Sequence, residues 1–141
     1  MKENQKPLIF IVDDDPDDRQ IILDAFLENY SAIDYVFMAD ATELLTNLYA
    51  TETELPDLIL LDLNMPGIMG LQALAEIRAN KTFSQIPIIV LTTSTLNKDR
   101  KVSYQLGASC YLTKPDSYSK LVEIVNAVVL LWISTTKLVP A

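Results

Sequence analysis

The chain has no histidine, a single cysteine and only 3 glycines in 141 residues, and its 11 basic residues are outnumbered by 19 acidic ones. Each shortage removes a class of function. Without histidine, Ser-His-Asp and Cys-His catalysis are excluded, and so are His-ligated zinc or iron sites. Acid–base or metal chemistry falls to carboxylates, hydroxyls, lysine or a partner. Cys110 alone makes no internal disulfide, which fits a reducing compartment, and it reads as a small core residue. The formal net charge of −8 argues against direct binding of nucleic acid, whose phosphates are held by clustered Lys and Arg; it is compatible with divalent cations. No long apolar run is present: Ala127 to Ile133 falls far short of the ~18 residues of a membrane span. Met1 to Lys6 is polar and has no signal-peptide core. A cytoplasmic protein with no membrane contact is expected.

What is present is enough apolar residue, 50%, for a proper core in a chain the size of one domain. There is no internal repeat. A single domain over 1–141 is expected, with a core at about 8–133 and a tail at 134–141. Leu8 to Val12 reads as a buried strand ending in a run of acids, Asp13 to Asp18 interrupted by Pro16. Asp15 as N-cap with Pro16 behind it starts a helix carrying Ile22, Leu23, Phe26 and Leu27 on one face. A strand from Tyr35 to Ala39 precedes a helix capped by Asp40 that bears Leu44, Leu45 and Leu48. Further strands are read at 57–61, 88–91 and 109–113, with helices to about Asn80, over 97–106, and from a cap at Asp116 or Ser117 to about Ile133. Strands alternating with helices in this way imply a three-layer α/β/α sandwich, a doubly wound parallel sheet of about five strands.

In such a sheet the carboxyl ends of the strands share one rim, where ligands bind. The apolar run Leu58 to Leu61 stops at Asp62, and Met65-Pro66-Gly67 turns the chain soon afterwards. Asp62 therefore reads as a rim nucleophile that takes up a phosphoryl group. The other strands bring Asp13, Asp14, Thr92 and Lys114 to the same rim. Crowded carboxylates either raise one pKa or hold a divalent cation, and an all-oxygen site favours Mg²⁺ or Mn²⁺. Lys114 can pair with Asp62 and then stabilise an anion placed on it, with the Thr92 hydroxyl as a further donor. Asp15, Asp17 and Asp18 read only as cap and helix-dipole charges; Asp13 and Asp14 precede the cap and need another reason.

Ile11-Val12-Asp13-Asp14-Asp15, Leu61-Asp62-Leu63-Asn64-Met65-Pro66-Gly67, Pro87 to Thr92, and Gly107 to Pro115 together resemble the receiver domain of two-component response regulators, in register from about Leu8 to Trp132. The resemblance implies a flavodoxin-like strand order 2-1-3-4-5 and a cis Lys114-Pro115 bond. It implies a phosphoacceptor and switch, not an enzyme acting on an outside substrate. Asp62 would take its phosphoryl group from the phosphohistidine of a histidine kinase or phosphotransfer protein. Asp14 and Asp62 would bind Mg²⁺ through their side chains, Asp13 mainly through water and Asn64 through its carbonyl. Thr92 would move toward the phosphate and Tyr111 would rotate into the space it leaves, changing the face made by helix four, strand five and helix five. Asn64 and Thr93 would tune access to Asp62; Thr93 departs from the family pattern, which commonly has a small residue there, and its β-branched side chain would slow phosphoryl loss.

Fewer than ten residues follow the last helix, so a stand-alone regulator is expected, though a piece of a larger regulator or hybrid kinase stays open. The last helix is apolar on more than one face, with Val122, Val128 and Val129 through Ile133. Either the tail folds over it, or it meets a downstream protein or a second copy. An aspartyl-phosphate phosphatase fits less well, since the position two after Asp62 is Asn64 and not an acid.

Overall fold

The computed structural model describes residues 6–50, 54–64 and 69–133. Its elements run β1 (Leu8–Val12), α1 (Pro16–Leu27), β2 (Asp34–Met38), α2 (Ala41–Tyr49), β3 (Leu58–Leu61), α3 (Met69–Ala79), β4 (Ile88–Thr92), α4 (Asn97–Gln105), β5 (Cys110–Thr113) and α5 (Tyr118–Trp132). All strand pairs are parallel and the order across the sheet is β2-β1-β3-β4-β5. This is the flavodoxin-like order expected of the sequence. The turn at Met65-Pro66-Gly67 and the tail 134–141 lie outside the described residues.

Side chains alternate across the sheet because successive Cβ atoms of a strand point to opposite faces. Phe10, Val12, Ile59, Leu61, Ile88 and Val90 pack under α2 and α3, against Leu44, Leu48, Leu74 and Ile77. Ile9, Ile11, Leu58, Leu60, Ile89 and Leu91 pack under α1 and α5, against Ile22, Phe26, Val125 and Val129. Burial on both faces explains why the central strands read as unbroken apolar runs. Each such Leu or Ile contributes about 1.5–3 kcal/mol.

Caps form where the sequence places them. The side chains of Asp15, Asp40 and Ser117 accept from the backbone N–H groups of Asp17, Glu43 and Lys120. Some details differ from expectation. β2 stops at Met38 because the Ala39 N–H is claimed by the Glu43 carboxylate, 3.1 Å away, as part of the start of α2. In α1 the buried set is Ile22, Ala25 and Phe26, spaced by three and four residues, while Leu27 is turned outward and exposed. Among the described residues no peptide bond is cis, so Lys114–Pro115 is trans, contrary to the resemblance. The two isomers before proline differ intrinsically by only about 0.5–1 kcal/mol, so the contacts around the bond decide which is adopted.

The amino side of the sheet is fastened by Arg78 at the end of α3. Its Nε donates to the Gly107 carbonyl at 2.7 Å, and its Nη1 to the carbonyls of Ile86 at 2.8 Å and Ser84 at 3.3 Å. Gly107 follows α4 with φ of +106°, a conformation that L side chains avoid, and a Cβ there would lie 2.6 Å from Arg78 Cγ.

Candidate functional site

One ladder bond beyond each strand fixes the residue that follows it. The Asp13 N–H donates to Met38 O at 3.0 Å, that of Asp62 to Val12 O at 3.0 Å, and that of Lys114 to Thr92 O at 2.7 Å. Carried one residue past the strands, the alternation of faces sends Asp13, Asp62 and Lys114 toward the α1/α5 side. They meet there. Lys114 Nζ lies 2.8 Å from Asp13 Oδ2, 3.0 Å from Asp62 Oδ2 and 2.9 Å from Asp18 Oδ2. The sequence alone marks Asp18 only as a helix-dipole charge. It stands one turn before the buried Ile22, on the same side of α1, and that i to i+4 spacing was the signal available in the sequence.

The oxygens not facing the lysine are held by short backbone turns. Asp13 Oδ1 accepts from the Asp15 N–H and Asp62 Oδ1 from the Asn64 N–H, each at 2.9 Å. Arg19 donates to the Asp13 carbonyl at 2.6 Å and so fixes the start of the acidic loop from below. Asp13 and Asp62 are only 1% and 5% exposed, whereas Asp14 is exposed. Burial pushes the Asp13 carboxyl above the usual range, and the Lys114 and Asp15 contacts offset that only in part. For Lys114, burial alone would lower the pKa; hydrogen bonds to Asp13, Asp18 and Asp62 outweigh it and hold the ammonium above the ordinary lysine value.

One oxygen from each of Asp13, Asp14 and Asp62 lies within 4.8 Å of the others. Opposite oxygens of a Mg²⁺ octahedron are about 4.2 Å apart, so the trio can close on a small divalent cation with little movement. The all-oxygen donor set suits a hard cation.

Thr92 is completely buried, and its Oγ1 accepts from the Ser94 N–H at 3.4 Å. Tyr111, expected to rotate inward on phosphorylation, is already 3% exposed. Its hydroxyl donates to the Ser94 carbonyl at 3.0 Å, its N–H donates to the Tyr104 hydroxyl at 2.9 Å, and the Arg100 guanidinium sits 5.3 Å from its ring. A ring with its hydroxyl satisfied and a cation over its face is stable inside. Ser94, unremarked in the sequence, links these parts: its own hydroxyl donates to Asp99 in the first turn of α4. On the opposite flank the Asn64 side-chain amide donates to the Thr93 hydroxyl, joining the loops after β3 and β4. Beside Lys114 a cavity of about 360 Å³ opens between α1 and α5, lined by Asp18, Ile21, Ile22, Pro115, Tyr118 and Leu121.

A parallel sheet of this order, with acids and a lysine gathered at its carboxyl rim, defines a phosphoacceptor switch module built around a cation site. The family model of the response regulator receiver domain matches residues 9–126, and the chain belongs to that family. It is 31% identical to response regulator Rcp1 of Synechocystis sp., over 97% of this chain and 96% of Rcp1. Among solved structures, the phosphorylated cyanobacterial phytochrome response regulator RcpA superposes with a TM-score of 0.84 at 36% identity, covering 92% of this chain and 95% of that one. The Mn²⁺-bound form of Rcp1 gives 0.82 at 31% identity, covering 96% and 99%. The chain is thus a phosphoryl-accepting signalling component of the two-component type. No helix among the described residues is long and apolar enough to cross a membrane.

Proposed function

We propose that Asp62 is the phosphoacceptor of a single receiver domain and that the donor is the phosphohistidine of a histidine kinase or phosphotransfer protein. The observation that carries this is the placement of Asp62: a nearly buried carboxylate at the end of β3, 3.0 Å from Lys114 and grouped with Asp13 and Asp14. A carboxylate oxygen attacks phosphorus, the P–N bond to the donor imidazole breaks, and the imidazole takes up a proton. Asp13, Asp14 and Asp62 would hold Mg²⁺, with the Asn64 carbonyl as a further ligand. When bound, the ion supplies positive charge against the transferring phosphoryl oxygens. Lys114 supplies the second positive charge, and Thr92 turns its hydroxyl toward the new anion. That turn releases the Ser94 N–H. Because Ser94 also accepts from Tyr111 and donates to Asp99, the event reaches the α4, β5 and α5 face, with Tyr111 held in the inward position it already occupies. The free Cys110 accords with a cytoplasmic setting.

Incubation with acetyl phosphate and Mg²⁺ tests the assignment: the intact chain gains about 80 Da, one phosphoryl group, and peptide mapping places it on Asp62. A chain that gains nothing, or gains it elsewhere, overturns the reading.

We take the bridge from Asn64 to Thr93, which joins the loops after β3 and β4, to narrow the approach to Asp62. Thr93→Ala removes it and shortens the lifetime of the phosphorylated form by about three- to tenfold, the rate equivalent of one modest hydrogen bond. Decay of the 80 Da species at fixed pH reads this out, and an unchanged half-life rejects it (80 Da again being roughly one phosphoryl group). On α5, Leu130 and Leu131 are 60% and 65% exposed. We assign this face to a second copy of the chain or a downstream protein. Sedimentation with and without phosphorylation decides between them: a monomer in both states counts against the dimer.

A further inference from the structure

A lysine ammonium has three N–H donors. In Lys114 all are taken, at 2.8, 2.9 and 3.0 Å, by Asp13, Asp18 and Asp62. Asp13 and Asp62 belong to the trio of acids that can close on a cation; Asp18 does not. Asp13 and Asp62 are almost fully buried and need a counter-charge, whereas the Asp18 side chain is 38% exposed and can be hydrated without one. The third contact therefore serves neither the cation nor the solvation of Asp18. Its effect falls on the lysine. It ties the ammonium to the first turn of α1 and divides one positive charge among three negative ones.

Resting on the assignment of Asp62 as acceptor, we propose that Asp18 is a positioning residue that restrains Lys114. A phosphoryl oxygen arriving on Asp62 meets an ammonium whose donors are already filled and must draw it away from Asp18, or share it. Either way the pull of Lys114 on the transferring group is weakened, and phosphorylation is slower than the acids, the cation and the lysine alone would allow. Asp17 provides an internal control. It carries the same charge one residue earlier, is exposed, and is not bonded to Lys114.

The experiment compares initial rates of phosphorylation by acetyl phosphate and Mg²⁺, followed by intact mass, in the unmodified chain and in Asp18→Asn, Asp18→Glu and Asp17→Asn. Asp18→Asn is expected to react about three- to fivefold faster, the upper end of the effect of one half-exposed ion pair on a barrier. Asp18→Glu keeps a carboxylate within reach of the lysine and stays within about twofold of the unmodified rate, again by the ion-pair scale. Asp17→Asn leaves the rate unchanged. An Asp18→Asn rate equal to or below the unmodified one overturns the proposal, and so does equal acceleration by Asp17→Asn, which would make the effect one of net charge. If the unmodified chain gains no mass, the acceptor assignment falls and takes this proposal with it. If it gains mass while Asp18→Asn matches it, only the role of Asp18 falls.

Discussion

Asp62→Asn takes up no phosphoryl group from acetyl phosphate under conditions in which the unmodified chain gains about 80 Da. The substitution is close to isosteric, and the amide oxygen can still accept the Asn64 N–H that Asp62 Oδ1 accepts at 2.9 Å. What disappears is the anionic nucleophile, and an amide offers phosphorus nothing comparable. The fold does not weaken. Removing one negative charge from a cluster in which a single lysine serves Asp13, Asp18 and Asp62 relieves repulsion, so the melting temperature stays level or rises. A variant that melts normally and still gains the mass would move the acceptor to Asp13 or Asp14.

Lys114→Met has the opposite effect on stability. It leaves two nearly buried carboxylates, Asp13 and Asp62, facing each other without the ammonium that now touches both. Deleting one partner of a buried ion pair costs about 3–5 kcal/mol, which is roughly a 10–17 °C fall in melting temperature for a domain of this size. Phosphorylation by acetyl phosphate slows by about 10²–10³, as expected when one preorganised charge is taken from a transition state. The pH dependence follows from the direction of each shift. The folded pKa of Lys114 lies above its ordinary 10.5, so its stabilisation is complete at every pH below that value and fades only as pH rises past it. The folded pKa of Asp13 is raised above 3.8, so the native state binds that proton more tightly and gains stability as pH falls into the window just above 3.8. Without the lysine that gain is larger, and the deficit of the variant shrinks on acidification. Mg²⁺ shrinks it too, by supplying the missing charge. Urea unfolding at pH 7 and pH 5, with and without Mg²⁺, measures each effect; a deficit below about 1 kcal/mol at pH 7, the value of a surface pair, would remove Lys114 from its central place.

Much of the rim was legible in the chain because strand ends are marked by chemistry: an apolar run cannot continue through Asp13, Asp62 or Lys114, and parallel connectivity then brings the three together. Caps were legible for the same local reason, as at Asp15, Asp40 and Ser117. What depended on rotation or on contacts far apart in sequence was not. Asp18 reaches a lysine 96 residues away because the buried side of α1 is set by Ile22, Ala25 and Phe26, with Ala25 in place of Leu23 and Leu27 of the expected face. The inward seat of Tyr111 depends on Ser94, Tyr104 and Arg100, none of which carries a motif. The Lys114–Pro115 isomer was carried over from the family pattern alone and proved trans.

Arg78 also determines how α4 can move. Its grip on the Gly107 carbonyl anchors the carboxyl end of that helix to the amino side of the sheet, far from the acids. The other end has no side-chain cap on Leu96 and is tethered through the Ser94 and Asp99 side chains. A helix anchored at one end and loosely tied at the other behaves as a lever with its fulcrum at Gly107. A shift of Ser94 would then tilt the helix about Gly107, and the exposed Leu96, far from that point, would move further than the exposed Tyr104.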